Sequence, residues 1–132
     1  MSTVKMVEYE EANGQVKEDF DDILASKGIK RVPNFWRTLA THPPLLRSVW
    51  RDLKVVMAPG RIDPLTKEMI ALAVSATNGC SYCINSHTAA AMKLGMDHEM
   101  LGEVMAVVGV FNRTNRLADG YQVEPDVLPP QE

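Results

Sequence analysis

Two cysteines and a histidine near the middle of the chain could carry out thiol chemistry. Cys80, Cys83 and His87 lie at intervals of three and four residues in the segment CSYCINSH. Because an α-helix turns by about 100° per residue, the three side chains would lie within about 60° of one another on one helix face. This spacing predicts two sulfurs close enough to form a disulfide, with an imidazole one turn away.

Each of these side chains meets a requirement of thiol redox chemistry. A cysteine attacks a peroxide or a disulfide only as the thiolate, and the positive end of a helix stabilises a thiolate in the first turn. His87 could accept the thiol proton or, when charged, hold the anion in place. We predict that Cys83 is oxidised to a sulfenic acid. Cys80 would then condense with it to a disulfide before irreversible over-oxidation.

Two further side chains could join this chemistry as proton carriers. Glu68 lies in the preceding predicted helix and could reach back across the helix pair to act as a base through water. The alternative for Glu68 is a surface carboxylate that the helix dipole favours in a first turn. Tyr82 stands between the cysteines, and its hydroxyl could join a proton network or simply pack against its neighbours. The sequence does not decide between the two roles for Glu68 or between those for Tyr82.

Other interpretations of the C-x-x-C pair are an inert structural pair and a zinc site. The two cysteines and the following histidine are suitable zinc ligands, but a structural zinc site requires a fourth ligand. His42 and His98 are distant in the sequence, and we expect both to face solvent. A haem attachment motif would need a histidine directly after the second cysteine, where Ile84 stands. We therefore expect neither a metal nor a cofactor.

The elements that must position these residues are all predicted to be helical, since no alternating strand pattern of useful length occurs. The motif Asp63-Pro64 provides an N-cap and a first helical residue, and Gly79 ends that helix just before Cys80. We predict an all-α bundle of about six helices, with the C-x-x-C pair at the N-terminus of a buried helix. The predicted helices cover about 16–27, a short segment after Pro33, 43–56, 64–78, 80–94 and 99–119.

The predicted organisation has three parts, which are a flexible segment over 1–15, a single helical domain over 16–120 and a Pro-rich tail over 121–132. The apolar residues between Met69 and Ala76 exceed one helix face, which predicts a helix buried on several sides. Trp36, Trp50 and Phe35 are predicted as core or interface aromatics. Six methionines add soft apolar surface, and because some of it could lie between subunits we expect a homo-oligomer; they are Met57, Met69, Met92, Met96, Met100 and Met105.

Composition excludes several classes of function. The 132 residues are 45% hydrophobic and 23% charged, with a formal net charge of −3, so nucleic acid and anionic membranes are not expected partners. Two cysteines are too few for a secreted disulfide scaffold. With no apolar leader or membrane-spanning run in the sequence, we expect a cytoplasmic protein.

The motif resembles that of a known family. Glu68, eleven intervening residues, Cys80-x-x-Cys83 and then x-x-x-His87 are similar to the core motif of alkyl hydroperoxide reductase D-like (AhpD-like) proteins in the carboxymuconolactone decarboxylase superfamily. The resemblance is strong over about 61–110. It implies an all-α AhpD-like fold assembled as trimers or hexamers.

The resemblance also implies a function. AhpD-like proteins act as hydroperoxidases or disulfide reductases in antioxidant defence, with a lipoyl or thioredoxin-like dithiol as electron donor. Their peroxidatic thiol corresponds to Cys83, their resolving thiol to Cys80, and their proton relay to Glu68 and His87. The best-studied members carry a second histidine where Tyr82 stands here. Two hypotheses stay open beside this one, namely a redox-sensing or interaction module without turnover and the lactone decarboxylation of members that lack the cysteines.

Overall fold

The computed structural model describes residues 1–131, which form six α-helices, one short 3-10 helix and no strand. The predicted all-α fold with about six helices is confirmed. None of the helices in residues 1–131 is both long and apolar enough to cross a membrane. The α-helices are α1 Gly14–Lys27, α2 Asn34–Leu39, α3 Pro43–Met57, α4 Pro64–Asn78, α5 Ser81–Lys93 and α6 His98–Gly120, and the 3-10 helix is Tyr9–Glu11.

Helix boundaries in the second half of the chain follow from capping residues. The Asp63 side chain accepts a hydrogen bond from the backbone N–H of Thr66 at 3.0 Å, which caps α4. Asp97 caps α6 in the same way through the N–H of Met100 at 2.8 Å. Gly79 ends α4 in the left-handed conformation, with φ of 69°. These local signals are the ones on which the sequence-based boundaries rest.

The chain divides into two compact units, which we call the N-terminal unit (residues 1–58) and the C-terminal unit (from residue 59 onward). The proposed division into a 1–15 segment, a 16–120 domain and a 121–132 tail stays a prediction.

The N-terminal unit is built around two tryptophans. Helices α1 and α2 pack against α3. The rings of Trp36 and Trp50 meet edge to face with their centroids 5.2 Å apart. Both tryptophans are buried as predicted, whereas Phe35 is 39% exposed and does not belong to the core. The other buried apolar residues of this core are Phe20, Ile23, Val32, Ala40 and Leu46.

A buried arginine links the beginning of the chain to α2. Arg37 is only 4% exposed, and its guanidinium donates to Val7 O and Asn34 Oδ1 and forms an ion pair with Glu8. The backbone N–H of Val7 donates in return to Arg37 O at 3.0 Å. A buried guanidinium requires hydrogen-bond acceptors on several sides, and residues 7 and 8 supply two of them. These residues therefore have specific partners within the N-terminal unit.

The C-terminal unit has a smaller core. Helix α4 packs against α5 and α6, and the buried residues at their contact are Leu72, Ala91 and Met96. The predicted burial of α4 on several sides is wrong for this chain, since Ile70 and Val74 are 49% and 54% exposed. Two neighbouring helices within the unit are too few to cover a helix that is apolar nearly all round.

Helix α5 is buried along one face rather than all round. Ala91 lies in the core, while Ser81, Tyr82, Asn85 and Ser86 are exposed. The polar residues on the outer face explain this, because burying them would leave their hydrogen-bonding groups without partners. The prediction of a buried helix therefore applies to the face that contacts α4.

Candidate active site

The turn between α4 and α5 places Cys80 at the start of α5. Gly79 adopts a positive φ that reverses the chain direction, and the N–H of Cys80 donates to Ser75 O at 3.0 Å. Cys80 is the N-cap residue of α5 and has an extended conformation. The C=O of Cys80 accepts the first hydrogen bond of that helix, from the N–H of Ile84 at 2.9 Å.

The sulfur of Cys80 takes the position of a capping oxygen. Cys80 Sγ accepts a hydrogen bond from the backbone N–H of Cys83 at 3.3 Å, the contact that a serine or aspartate side chain makes at this position. Backbone N–H groups and the positive end of the helix dipole stabilise an anion there. Both cysteines are free thiols and half-buried. The predicted placement of the pair at the beginning of a helix is therefore observed.

The two thiols have opposite acid–base properties. The hydrogen bond from the Cys83 side chain, together with the backbone N–H groups of Cys83 and Tyr82, lowers the pKa of Cys80 below that of an ordinary cysteine. The same contact with Cys80, reinforced by burial and by the Cys80 charge, raises the pKa of Cys83. The two thiols share protons as a coupled pair. When the pair loses its first proton, these contacts favour the anion on Cys80 and the remaining proton on Cys83.

A glutamate and a histidine meet between α4 and α5. His87 Nδ1 lies 2.7 Å from Glu68 Oε2, and the two side chains are 26% and 17% exposed. Because an ionised carboxylate only accepts hydrogen bonds, the Nδ1 atom carries the proton and donates it. The Nε2 atom on the other side of the ring is then the one left for other chemistry.

This contact changes the interpretation of Glu68. The sequence left open whether Glu68 is a solvated carboxylate or a base that acts through water. Its side chain instead binds His87 directly, across 19 positions of the sequence. Such a carboxylate orients an imidazole and stabilises its charged form.

The other candidate residues lie apart from this pair or at its edge. Tyr82 is 44% exposed in the first turn of α5, and its backbone N–H contributes to the low pKa of Cys80. His42 and His98 are exposed next to helix termini, as predicted. Within residues 1–131, no three or more His, Cys, Asp or Glu side chains converge to hold a metal ion. The geometry therefore adds no support to the zinc alternative.

One functional contact was missed by the sequence reasoning, namely the capping role of the Cys80 sulfur. The sequence does carry a signal for it, because Gly79 ends one helix and the next begins at once, which puts Cys80 at an N-cap. An N-cap side chain is expected to accept the N–H three residues later, and that residue is Cys83.

Comparison with known proteins places the chain in a family. A sequence model of the Carboxymuconolactone decarboxylase family matches residues 43–123, more than half of the chain. The chain belongs to this family. The match includes the whole of α3, α4, α5 and α6, and thus Glu68, both cysteines and His87.

Curated relatives within this family carry a more specific name. An alkyl hydroperoxide reductase AhpD of Solibacter usitatus is 31% identical over 101 residues, which cover 76% of this chain and 55% of that protein. The AhpD of Rhodococcus erythropolis is 28% identical over 135 residues, which cover 92% of this chain and 73% of that protein. The chain thus spans about half the length of the Solibacter relative.

A solved structure agrees with the fold. The crystal structure of the alkylhydroperoxidase AhpD core from Rhodospirillum rubrum is 46% identical to this chain, with a TM-score of 0.91. The similarity covers 96% of this chain and 95% of that one. The AhpD-like fold expected from the motif is confirmed.

Proposed function

We propose that the chain is a thiol-dependent peroxidase and disulfide reductase that cycles between a Cys80–Cys83 dithiol and the corresponding disulfide. The observation that carries this proposal is the joint placement of the two sulfurs at the start of α5 and of a Glu68–His87 pair in the same two helices. Membership of the Carboxymuconolactone decarboxylase family and relatives named AhpD support the reaction class.

In the first step, Cys83 attacks a hydroperoxide. The sulfur forms a bond to the distal peroxide oxygen, the O–O bond breaks, and the alcohol leaves after taking up a proton. Because the pKa of Cys83 is raised, this thiol needs a base, and we assign that role to Nε2 of His87. Glu68 orients the imidazole through its Nδ1–H and stabilises the imidazolium that forms.

In the second step, Cys80 resolves the sulfenic acid. The Cys80 thiolate attacks the sulfur of Cys83, the S–S bond forms, and the hydroxyl group leaves as water with a proton from the relay. The pKa of Cys80 is lowered by the hydrogen bond from the Cys83 side chain and by the N–H groups at the start of α5, which favours the thiolate that this step requires. The lowered pKa of Cys80 suits its assigned role, whereas the raised pKa of Cys83 makes its own role depend on the base.

In the third step, a dithiol returns two electrons to the disulfide. The resemblance to AhpD-like proteins suggests a lipoyl or thioredoxin-like protein as the donor.

We further propose a homo-oligomer, because Ile70, Val74 and Phe111 of the C-terminal unit are about half exposed. Free thiols that must be reduced again after each turnover suit a reducing compartment such as the cytoplasm.

Thiol counting before and after peroxide tests the proposal. Reduced protein is mixed with one equivalent of cumene hydroperoxide, and free thiols are titrated under denaturing conditions. We expect two thiols to disappear per chain and to return with dithiothreitol. Unchanged thiols in the presence of peroxide would contradict the proposed function. The Cys83→Ser chain is the control and should keep its remaining thiol under the same conditions.

A redox sensor without turnover is a second candidate, favoured by the exposed apolar side chains of α4 and α6. If the disulfide altered how these surfaces pack in an assembly, the oxidised and reduced proteins would differ in size. Light scattering on both forms decides this, and an assembly of unchanged size would remove the idea. A chain without either cysteine distinguishes lactone decarboxylation from the two redox candidates. Of the three, only the decarboxylase activity would survive the loss of both cysteines.

A further inference from the structure

The dithiol/disulfide cycle leaves open which of the two sulfurs the electron donor attacks. We propose that a dithiol donor attacks Cys83 Sγ, so that Cys80 leaves as a thiolate held by the N-cap of α5 and the mixed disulfide forms on Cys83. This inference rests on the proposed redox cycle. It adds to it the course of the reductive half-reaction and the residue that the donor contacts.

The first support is the geometry of the leaving sulfur. Cys80 Sγ already accepts the backbone N–H of Cys83 at 3.3 Å, at the positive end of α5. Negative charge that develops on this sulfur during S–S cleavage meets a preformed donor and the helix dipole. Cys83 has no equivalent position, because it is the third residue of α5 and its own N–H is given to Cys80.

The second support is the chemistry of thiol–disulfide exchange. The thiol with the lower pKa is the better leaving group, and among the pair this is Cys80. Attack on Cys80 would instead expel Cys83, whose pKa is raised by the same contact and by burial. The asymmetry within the pair therefore favours a single course of reduction.

The third support is the direction of approach. A thiolate attacks a disulfide roughly in line with the S–S bond, on the side opposite the leaving sulfur. With Cys80 at the N-cap, a donor that attacks Cys83 approaches from further along α5, which is the side of His87 one turn later. The imidazole that serves Cys83 in the peroxide step would then also be near the donor thiol and could take its proton.

The reaction balances as follows. The donor thiolate forms an S–S bond to Cys83, the Cys80–Cys83 bond breaks, and its electron pair stays on Cys80 as the thiolate. The second donor thiol then attacks the donor sulfur of the mixed disulfide. Cys83 is released and takes up a proton, and the donor leaves as an oxidised disulfide. In total, the dithiol gives up two electrons and two protons: both electrons go to the protein sulfurs, one proton goes to Cys83, and the other goes to His87 or to solvent while Cys80 stays a thiolate.

Trapping the mixed disulfide tests the inference. The chain is oxidised with diamide, treated briefly with the monothiol 2-mercaptoethanol, and quenched with excess N-ethylmaleimide. Fragment-ion mass spectrometry of the peptide that contains both cysteines then locates each label. We expect mercaptoethanol on Cys83 and maleimide on Cys80, in severalfold excess over the reverse arrangement. An equal distribution, or a majority with mercaptoethanol on Cys80, would overturn the inference.

Single-cysteine chains provide a second measurement. The Cys83→Ser chain carries mercaptoethanol on Cys80 and the Cys80→Ser chain carries it on Cys83, and dithiothreitol then releases it. We expect faster release from Cys80 below pH 8, because the N-cap stabilises the departing thiolate. Equal rates in the two chains would contradict the role of the N-cap.

The failure of this inference can be told apart from failure of the proposed function. Diamide forms the disulfide without peroxide, so a chain that reacts with diamide but not with peroxide contradicts only the peroxidase proposal. Normal peroxide turnover with the mixed disulfide on Cys80 contradicts only the inference. A pair that diamide does not oxidise contradicts both.

Discussion

The two units of the molecule differ in the side chains that form their buried cores and in whether they contain the candidate site. The N-terminal unit buries two tryptophans and a phenylalanine and adds ion pairs around them, such as Arg47 Nε with Asp19 Oδ1 at 3.0 Å. The C-terminal unit buries the smaller set Leu72, Ala91 and Met96. It contains both cysteines and the candidate proton relay.

This difference indicates a division of roles between the units. Aromatic packing and paired charges build the core of the N-terminal unit, which contains neither cysteine. The C-terminal unit keeps its two free cysteines half-buried at a helix start, where the proposed substrate and donor would have to reach them. We therefore expect substitutions in the N-terminal core to change mainly stability, and substitutions at the candidate site to change mainly activity.

The largest expected effect is the loss of turnover in the Cys83→Ser chain. Without this sulfur no sulfenic acid or disulfide can form, so peroxide consumption with dithiothreitol as donor should fall to background. In the absence of any thiol donor, the Cys80→Ser chain should instead form a sulfenic acid with the first equivalent of peroxide and over-oxidise with further peroxide, which mass spectrometry detects as added oxygen. Equal turnover in wild type and the Cys83→Ser chain would contradict the assigned roles. Urea unfolding of both variants should match wild type.

Loss of the relay should have the next largest effect. The His87→Gln chain keeps a polar side chain but loses the base for Cys83, and general base catalysis typically contributes a factor of about 10²–10⁴. We expect kcat for peroxide to fall by a factor of about 10² or more in this chain. In the Glu68→Gln chain, kcat should also fall. The controls are Ser86→Ala and Glu103→Gln, whose side chains are exposed outside the site. A similar decrease in these controls would remove the relay hypothesis.

A core substitution in the N-terminal unit should show the opposite pattern. Ile23 is fully buried against the tryptophan core, so Ile23→Ala should lower the free energy of unfolding by about 2–5 kcal/mol. Thiol loss with peroxide should persist in the folded fraction. Val55→Ala, at a position that is 77% exposed in the same unit, should stay within about 0.5 kcal/mol of wild type. Urea titration followed by circular dichroism measures both.

The coupling between the thiols predicts a smaller, spectroscopic effect. Thiolate absorbance of the reduced chain should rise in two steps, the first below the ordinary range of cysteine and the second above it, because the pKa of Cys80 is lowered and that of Cys83 is raised. The Cys80→Ser chain removes the hydrogen bond with the Cys80 sulfur and the charge on that sulfur, and should move the pKa of Cys83 back down. A single step at the ordinary cysteine value in wild type would contradict the coupling.

The smallest effect concerns a surface charge cluster of the N-terminal unit. Asp22 accepts hydrogen bonds from Lys54 and from Trp50, which lower its pKa below the ordinary aspartate value. A lowered pKa adds stability above the ordinary value, and that stability is lost as the pH falls through the lowered one. Asp22→Asn should therefore cost about 1 kcal/mol or less at pH 7, and the cost should be smaller at pH 2. Urea unfolding at both pH values tests this, and an equal cost at both would contradict the ionic origin.

Much of the fold could be predicted because its signals are local. Asp63, Gly79 and Asp97 mark helix boundaries through contacts with residues a few positions away, and the structure places the boundaries there. Burial was predicted less well. Ile70 and Val74 belong to a helix that is apolar nearly all round, yet they are exposed, since hydrophobicity shows which residues favour burial but not whether a neighbouring helix is present to cover them.

The sequence by itself determined the motif geometry, because Cys80, Cys83 and His87 are separated by about one helical turn and any helix brings them to one face. Only the tertiary structure decided that Glu68 binds His87, since these residues are 19 positions apart and meet through the packing of α4 on α5. It also decided that the pKa of Cys80 is lowered and that of Cys83 is raised. This difference depends on the 3.3 Å hydrogen bond from the N–H of Cys83 to Cys80 Sγ. The spacing of residues in the sequence does not specify such a distance.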